Sequence, residues 1–298
     1  MTRQTTKFAL LVLALFAAGC SSELPKHMQP LSYTMQAELK LRDLAIDAPI
    51  MMRIFKQDSE LEIWKRGFNG KYTLLKTYPI CKWSGALGPK KKEGDRQAPE
   101  GFYTIKVGQM NPWSKYYLSF NLGYPNTFDR TYGRTGAHLM VHGDCSSAGC
   151  YSMTDEIMAD IYALAREAFE GGQDAFQVQA FPFRLTEENL QKHKEHGDYE
   201  FWLNLKEGYD AFEQTQIPPK VNVCGKRYVF NANFSVADNK IDPAAPCPPQ
   251  VAPEATLASA GDAAAPAVAP IPAPVTLPQL SAPPAPETTP LPTARPAY

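Results

Sequence analysis

The chain has 298 residues, enough for one sizeable domain with extensions. Its 30 basic and 31 acidic residues nearly cancel, and no basic stripe argues for a nucleic-acid partner. A polysaccharide, a peptide or a small molecule stays open as the partner.

The N-terminus carries Arg3 and Lys7, then the apolar run Phe8–Ala18. That run is too short for a typical membrane-spanning helix and has the pattern of a secretory signal peptide. It ends in Ala17-Ala18-Gly19-Cys20. This resembles a bacterial lipoprotein cleavage box, with Ala17 where Leu is commonest. The resemblance implies lipidation of Cys20. Ser21 after it implies sorting to the outer membrane in a Gram-negative source, and residues 20–45 then form a linker with a short helix. Export permits disulfides. Of six cysteines, Cys20 is set aside, which leaves Cys81, Cys145, Cys150, Cys224 and Cys247. Five is odd, so at least one thiol stays unpaired within the chain. If that thiol is Cys150, three pairings of the others remain open.

Short alternating segments rich in β-formers follow: Ile50–Phe55, Leu61–Arg66 and Tyr72–Ile80, an expected antiparallel meander. Gly101–Val107, Tyr116–Leu122 and Ala137–Gly143 read as further strands between Gly- and Pro-rich loops. The loop run Lys90–Lys92 reads as solvated. Thr154 can cap a helix that has Asp155 and Glu156 in its first turn. Ile157, Ile161, Leu164 and Ala168 follow at helical spacing, and Gly171-Gly172 ends it. Phe176–Phe183 reads as a strand, two helices follow, and Val223–Phe230 reads as one last strand. From Pro243 onward lie 16 of the 27 prolines, with no Phe or Trp, so this segment is expected to be disordered and partly polyproline II.

The segment His142–Cys150, HGDCSSAGC, carries the chemistry. A thiolate is a strong nucleophile when a base or a positive field supports it. A strand ending at His142 and a helix starting past Cys150 would bring imidazole to sulfur, with the helix N-terminus lowering the thiol pKa. Backbone N–H groups near Gly149 could face an oxyanion. Two other readings stay open. His142, Asp144, Cys145 and Cys150 could ligate zinc. Alternatively, Cys145 is a disulfide partner and His142 a satisfied core residue.

His142-Gly143 followed by Ser147-Ala148-Gly149-Cys150, with Ala98–Tyr103 upstream, resembles the L,D-transpeptidase (YkuD-like) catalytic family. The short gap between His142 and Cys150, with the helical C-terminal extension, is similar to its YafK-like murein branch. Ala148 and Ser152 depart from the wider family, which has a His and an Arg there. The element pattern gives a β-rich α+β fold, with a signal peptide over 1–19, a helical extension over 183–242 and a disordered Pro/Ala-rich tail over 243–298, and the resemblance implies an L,D-transpeptidase-like β-sandwich over 46–182. It also implies a Cys150 thioester on peptidoglycan stem peptides, with His142 as general base and acid, in cell-wall remodelling. Gly143, Ser147 and Gly149 are the candidate oxyanion and support residues. Arg134 and Tyr151 are candidates for substrate contact, Arg134 replacing the Arg absent at 152. His138, on the same strand face as His142, is a candidate supporting residue or a structural one. No cofactor is expected. Two alternatives stand beside transpeptidation: a hydrolase that detaches a lipoprotein from peptidoglycan at diaminopimelate, and a non-catalytic wall-binding lipoprotein. The expected location is the periplasm, on a lipid anchor.

Overall fold

The computed structural model describes residues 24–251. The signal peptide, Cys20 and the tail beyond 251 lie outside the described residues. The meander forms as the alternation predicts. Strands β1 (Ile50–Phe55), β2 (Glu60–Arg66) and β3 (Tyr72–Pro79) pair antiparallel in sequence order. Two later strands extend this sheet. Strand β9 (Ala175–Phe181) pairs parallel to β1, and β4 (Gly101–Lys106) pairs antiparallel to β9, giving the order β3-β2-β1-β9-β4. A second sheet holds β5 (Met110–Asn111), β6 (Ser119–Asn121), β7 (Met140–His142) and β8 (Tyr151–Ser152).

Strand β1 is buried at all six positions. Alternation then means that both its faces are covered, as a central strand requires. Ile50, Met52 and Ile54 face the larger core, shared with Phe120 of β6, Val141 of β7 and Tyr151 of β8. Helix α1 (Tyr33–Leu41) adds Met35 and Leu39 to this core. The segment read as a linker is therefore packed from Leu31 onward, with Ser32 capping α1. After α2 (Thr127–Thr131), helix α3 (Asp155–Glu170) also joins the core. Thr154 caps it by accepting the Ile157 N–H. The opposite face of β1 packs on the C-terminal extension. That extension comprises α4 (Glu187–Lys192), α5 (Tyr199–Thr215) and the strands β10 (Val221–Cys224) and β11 (Arg227–Phe230). Met51 meets Phe212, and Phe55 clusters with Phe181, Phe183 and Trp202. The extension is thus a layer of the same body, and its sheet-facing aromatics each contribute about 2–3 kcal/mol by burial.

Two expectations are corrected here. Val223–Phe230 is not one strand. Gly225 and Lys226 adopt φ of 58° and 57°, which suits a two-residue hairpin turn, so the run divides between β10 and β11. The expected disorder from Pro243 does not apply to 243–251. Cys247 is bonded to Cys224, and Lys226 and Gly225 N–H groups donate to the Pro243 and Ala245 carbonyls.

The second disulfide joins Cys81 to Cys145 across 64 residues and leaves Cys150 free. Closing a loop of that length restricts the unfolded chain by about 4 kcal/mol. Replacing Cys81 and Cys145 together by Ala should lower the urea midpoint accordingly. An unchanged midpoint would contradict the tether.

Candidate active site

The nucleophile loop, 143–150, is held from two sides by one long segment, 81–100. On one side Cys81 bonds Cys145, the Ser84 and Ser147 hydroxyls lie 3.3 Å apart, and Lys82 pairs with Ser152. Ser152 is fully buried, and its hydroxyl donates to the Lys82 carbonyl at 2.7 Å. The position where the wider family has Arg is therefore spent on strand pairing here. On the other side the Gln97 carbonyl and Arg96 run past Gly149, and the Tyr151 hydroxyl donates to the Pro99 carbonyl at 2.6 Å. Gly149 has φ of 128°, a backbone state that L side chains rarely adopt.

Segment 81–100 is itself anchored on a buried ion pair. Lys56 and Glu100 are both 0% exposed, with Nζ 2.9 Å from Oε1. Lys56 also donates to the Gly88 and Ala98 carbonyls, and Glu100 accepts from the Gly88 N–H and from Trp202 Nε1. Burial pushes the Lys56 ammonium down, against the pull of Glu100. Through Trp202 the extension reaches the wall of the nucleophile loop.

His142 ends β7 and is 3% exposed. Its Nδ1 lies 2.5 Å from the Gly143 carbonyl. A carbonyl only accepts, so Nδ1 carries the hydrogen and Nε2 keeps its lone pair. The Tyr116 ring covers the imidazole, with centroids 4.8 Å apart. Burial lowers the His142 pKa from its ordinary value, opposed by the Gly143 hydrogen bond and by Asp144. Parallel β7 and β8 align Val141 with Tyr151 and His142 with Ser152, so Cys150 lies immediately before β8. The thiol accepts the Met140 N–H at 3.4 Å and donates to the His138 carbonyl at 3.7 Å. No hydrogen bond joins imidazole to thiol among the described residues. Burial pushes the Cys150 thiol up, while the Met140 N–H and the Lys90 ammonium act the other way.

Several site expectations change. The helix does not support the thiol: α3 starts at Asp155, and β8 lies between. Tyr151 is fully buried in the core and cannot contact substrate. The Arg134 guanidinium is committed to buried Asp129 at 2.7 Å and stacks over Phe128 and Phe201. The Gly143 N–H is spent on the Tyr116 and Leu118 carbonyls, and the Gly149 N–H on Ser147 Oγ. Gly143 is needed instead for space, since a Cβ would come within 2.5 Å of Asp155 Oδ1. Ser147 also donates to the Cys150 carbonyl at 2.7 Å, so it shapes the loop. His138 has φ of 58°, which breaks strand alternation, and only its carbonyl meets the thiol. Cys145 is consumed by its disulfide, which removes a ligand from the zinc reading. Lys90 is not solvated. It is 4% exposed, held by Asp95 and the Lys92 carbonyl, and is the cation acting on the thiol. Nothing in the triple-lysine run marks which of the three is buried.

The L,D-transpeptidase catalytic domain (YkuD) matches residues 60–174. The Escherichia coli K12 protein named "Putative L,D-transpeptidase YafK" is 41% identical over 204 residues, covering 68% of this chain and 82% of that protein. Its counterpart in E. coli O157:H7 matches equally. The chain belongs to the L,D-transpeptidase family, and membership makes it a peptidoglycan-acting enzyme. Among solved structures, a point variant of the helical cell shape determining protein Pgp2 of Campylobacter jejuni aligns with TM-score 0.37 and 20% identity. The alignment covers 63% of this chain and 64% of that one, so the chain spans just under two thirds of its length. Bdellovibrio bacteriovorus Bd1075 aligns with TM-score 0.33 and 17% identity, over 66% and 81% of the two chains.

Proposed function

We propose that this chain is a cysteine-dependent L,D-transpeptidase that works through a Cys150 thioester, with His142 as general base and acid. One observation carries the reading. The single free thiol among the described cysteines lies against the Met140 N–H of the strand that ends at His142, whose Nδ1 is held by the Gly143 carbonyl so that Nε2 keeps its lone pair. His142 Nε2 takes the thiol proton as sulfur attacks a carbonyl carbon of a stem peptide, at the L-centre of diaminopimelate. The oxyanion is met by the Cys150 N–H, which has no partner among the described residues. Collapse expels an amine, which leaves with the proton from His142, and a thioester remains. A second amine, attacking the thioester, completes transpeptidation. Where the amine expelled in the first step belongs to a lipoprotein linked at that centre, thioester formation releases it, and water then hydrolyses the thioester to a carboxylate and the Cys150 thiol. By this reading the protein acts in the periplasm, held to the outer membrane by a lipid on Cys20.

Burial favours the neutral form of both groups, so a proton must pass from Cys150 to His142 for the sulfur to attack as thiolate. Protonated His142 cannot act as base, and its folded pKa is depressed. The acid limb of kcat/KM should therefore fall below the ordinary imidazole value of about 6.5. A limb at or above that value would contradict the buried, neutral base.

Incubation with purified muropeptides and with lipoprotein-linked peptidoglycan, read by mass spectrometry, tests the reaction. New crosslinks that require Cys150 support transpeptidation. Lipoprotein release without crosslinks moves the acceptor to water, and no Cys150-dependent product from either substrate sinks the enzyme reading.

A further inference from the structure

Among the described residues five aromatic side chains are exposed, Tyr33, Phe68, Trp113, Tyr116 and Tyr132, and of these Trp113, 75% exposed, and Tyr116, 46% exposed, share one loop. Both lie in the loop between β5 and β6. The loop is not loose. The Trp113 N–H donates to Asn111 Oδ1 and the Tyr116 N–H to Ser114 Oγ, each at 3.1 Å. Lys26 Nζ donates to the Ser114 and Tyr117 carbonyls. His27 sets its ring against Trp113, with centroids 5.1 Å apart, and Arg166 holds the His27 and Gln29 carbonyls at 2.8 and 3.1 Å. A braced aromatic surface left open to water forgoes burial energy, which marks it as a binding surface.

The surface is continuous with the reaction centre. Tyr116 covers the His142 ring, and its carbonyl accepts the Gly143 N–H at 3.1 Å. Trp113 stands three residues before Tyr116, at most about 11 Å away along the backbone. Peptidoglycan has the matching layout, because its stem peptide joins the reacting residue to a sugar through a few amino acids. Sugar rings present C–H faces that pack on exposed aromatic rings. We propose that Trp113 and Tyr116 form a carbohydrate subsite for an N-acetylhexosamine of the glycan strand that bears the reacting stem peptide. This rests on the peptidoglycan reading above. A lipid surface is the competing occupant, since Lys26 and Lys115 flank the aromatics. A bilayer pressed on this loop would cover the approach to His142, whereas a sugar here leads its own peptide to it.

The test uses the mature protein, Trp113→Ala and Trp113→Phe, with two substrates of identical stem peptide, one carrying the disaccharide and one free of sugar. Trp113→Ala should raise KM for the disaccharide-linked substrate about tenfold more than for the sugar-free peptide, a difference of about 1.4 kcal/mol. Trp113→Phe should recover part of that difference. Equal effects on both substrates, or none, overturn the subsite. If the wild type turns over neither substrate, calorimetric titration of Cys150→Ala protein with the free disaccharide decides. Binding that Trp113→Ala abolishes supports the subsite, and absent binding overturns it. A Trp113-dependent fluorescence shift with phosphatidylethanolamine–phosphatidylglycerol vesicles, without disaccharide binding, assigns the surface to lipid and also overturns it.

Discussion

Replacing Cys150 by Ala should lower turnover of any peptidoglycan substrate by about 10⁴-fold or more, because the covalent route is lost and not merely slowed. The fold should survive. Cys150 is only partly buried, and its thiol contributes one N–H···S contact from Met140 and one S–H···O contact to His138. The loop around it is held by other groups, namely the Cys81–Cys145 bond, the Ser147 hydroxyl and the Ser152 pairing. Thermal melts of Cys150→Ala should therefore overlay those of the wild type. Turnover within tenfold of wild type would remove Cys150 from the chemistry. A collapsed melt would instead make the residue structural.

The second large effect is expected away from the thiol, at Glu100. Glu100→Ala leaves the Lys56 ammonium fully buried without its counter-charge and removes the acceptor of the Gly88 and Trp202 N–H groups. Breaking one side of a buried pair costs about 3–5 kcal/mol. Segment 81–100 hangs on this pair, so the wall around Cys150 should loosen as well, and the folded fraction should lose activity beyond the stability loss. Urea denaturation of Glu100→Ala, Lys56→Met and the double variant forms a cycle. The double variant should be more stable than the sum of the single losses implies, since no lone charge remains. Additive losses would mean that the two groups do not act as a pair.

Much of the framework was legible in the sequence. β1 matches its alternating run from Ile50 to Phe55, and α3 starts behind its Thr154 cap. Local pattern decides both. The odd cysteine count pointed to a free thiol, and the structure leaves it on Cys150. What stayed hidden depends on chain segments far apart in sequence. The insertion of β9 between β1 and β4 places residues near 178 beside residues near 52 and 103, and no local signal carries that. The same holds for the charges. Lys90 looked like a solvated loop cation and Arg134 like a substrate contact, yet one is locked against Asp95 and the other against Asp129. Tyr151 follows the nucleophile in sequence, but strand alternation turns its ring into the core. Helix α3 was read as the support of the thiol because it begins soon after Cys150. The two residues of β8 are enough to move its first turn away.

The proposed reaction passes through a covalent acyl group on Cys150, which intact-mass spectrometry detects after brief exposure to a carbapenem or to a stem-peptide substrate. One acyl adduct per chain is expected, mapping to the peptide that contains Cys150. It should be absent from Cys150→Ala and should form slowly in His142→Ala. Folded wild-type protein that gains no adduct, or one that maps elsewhere, would contradict it.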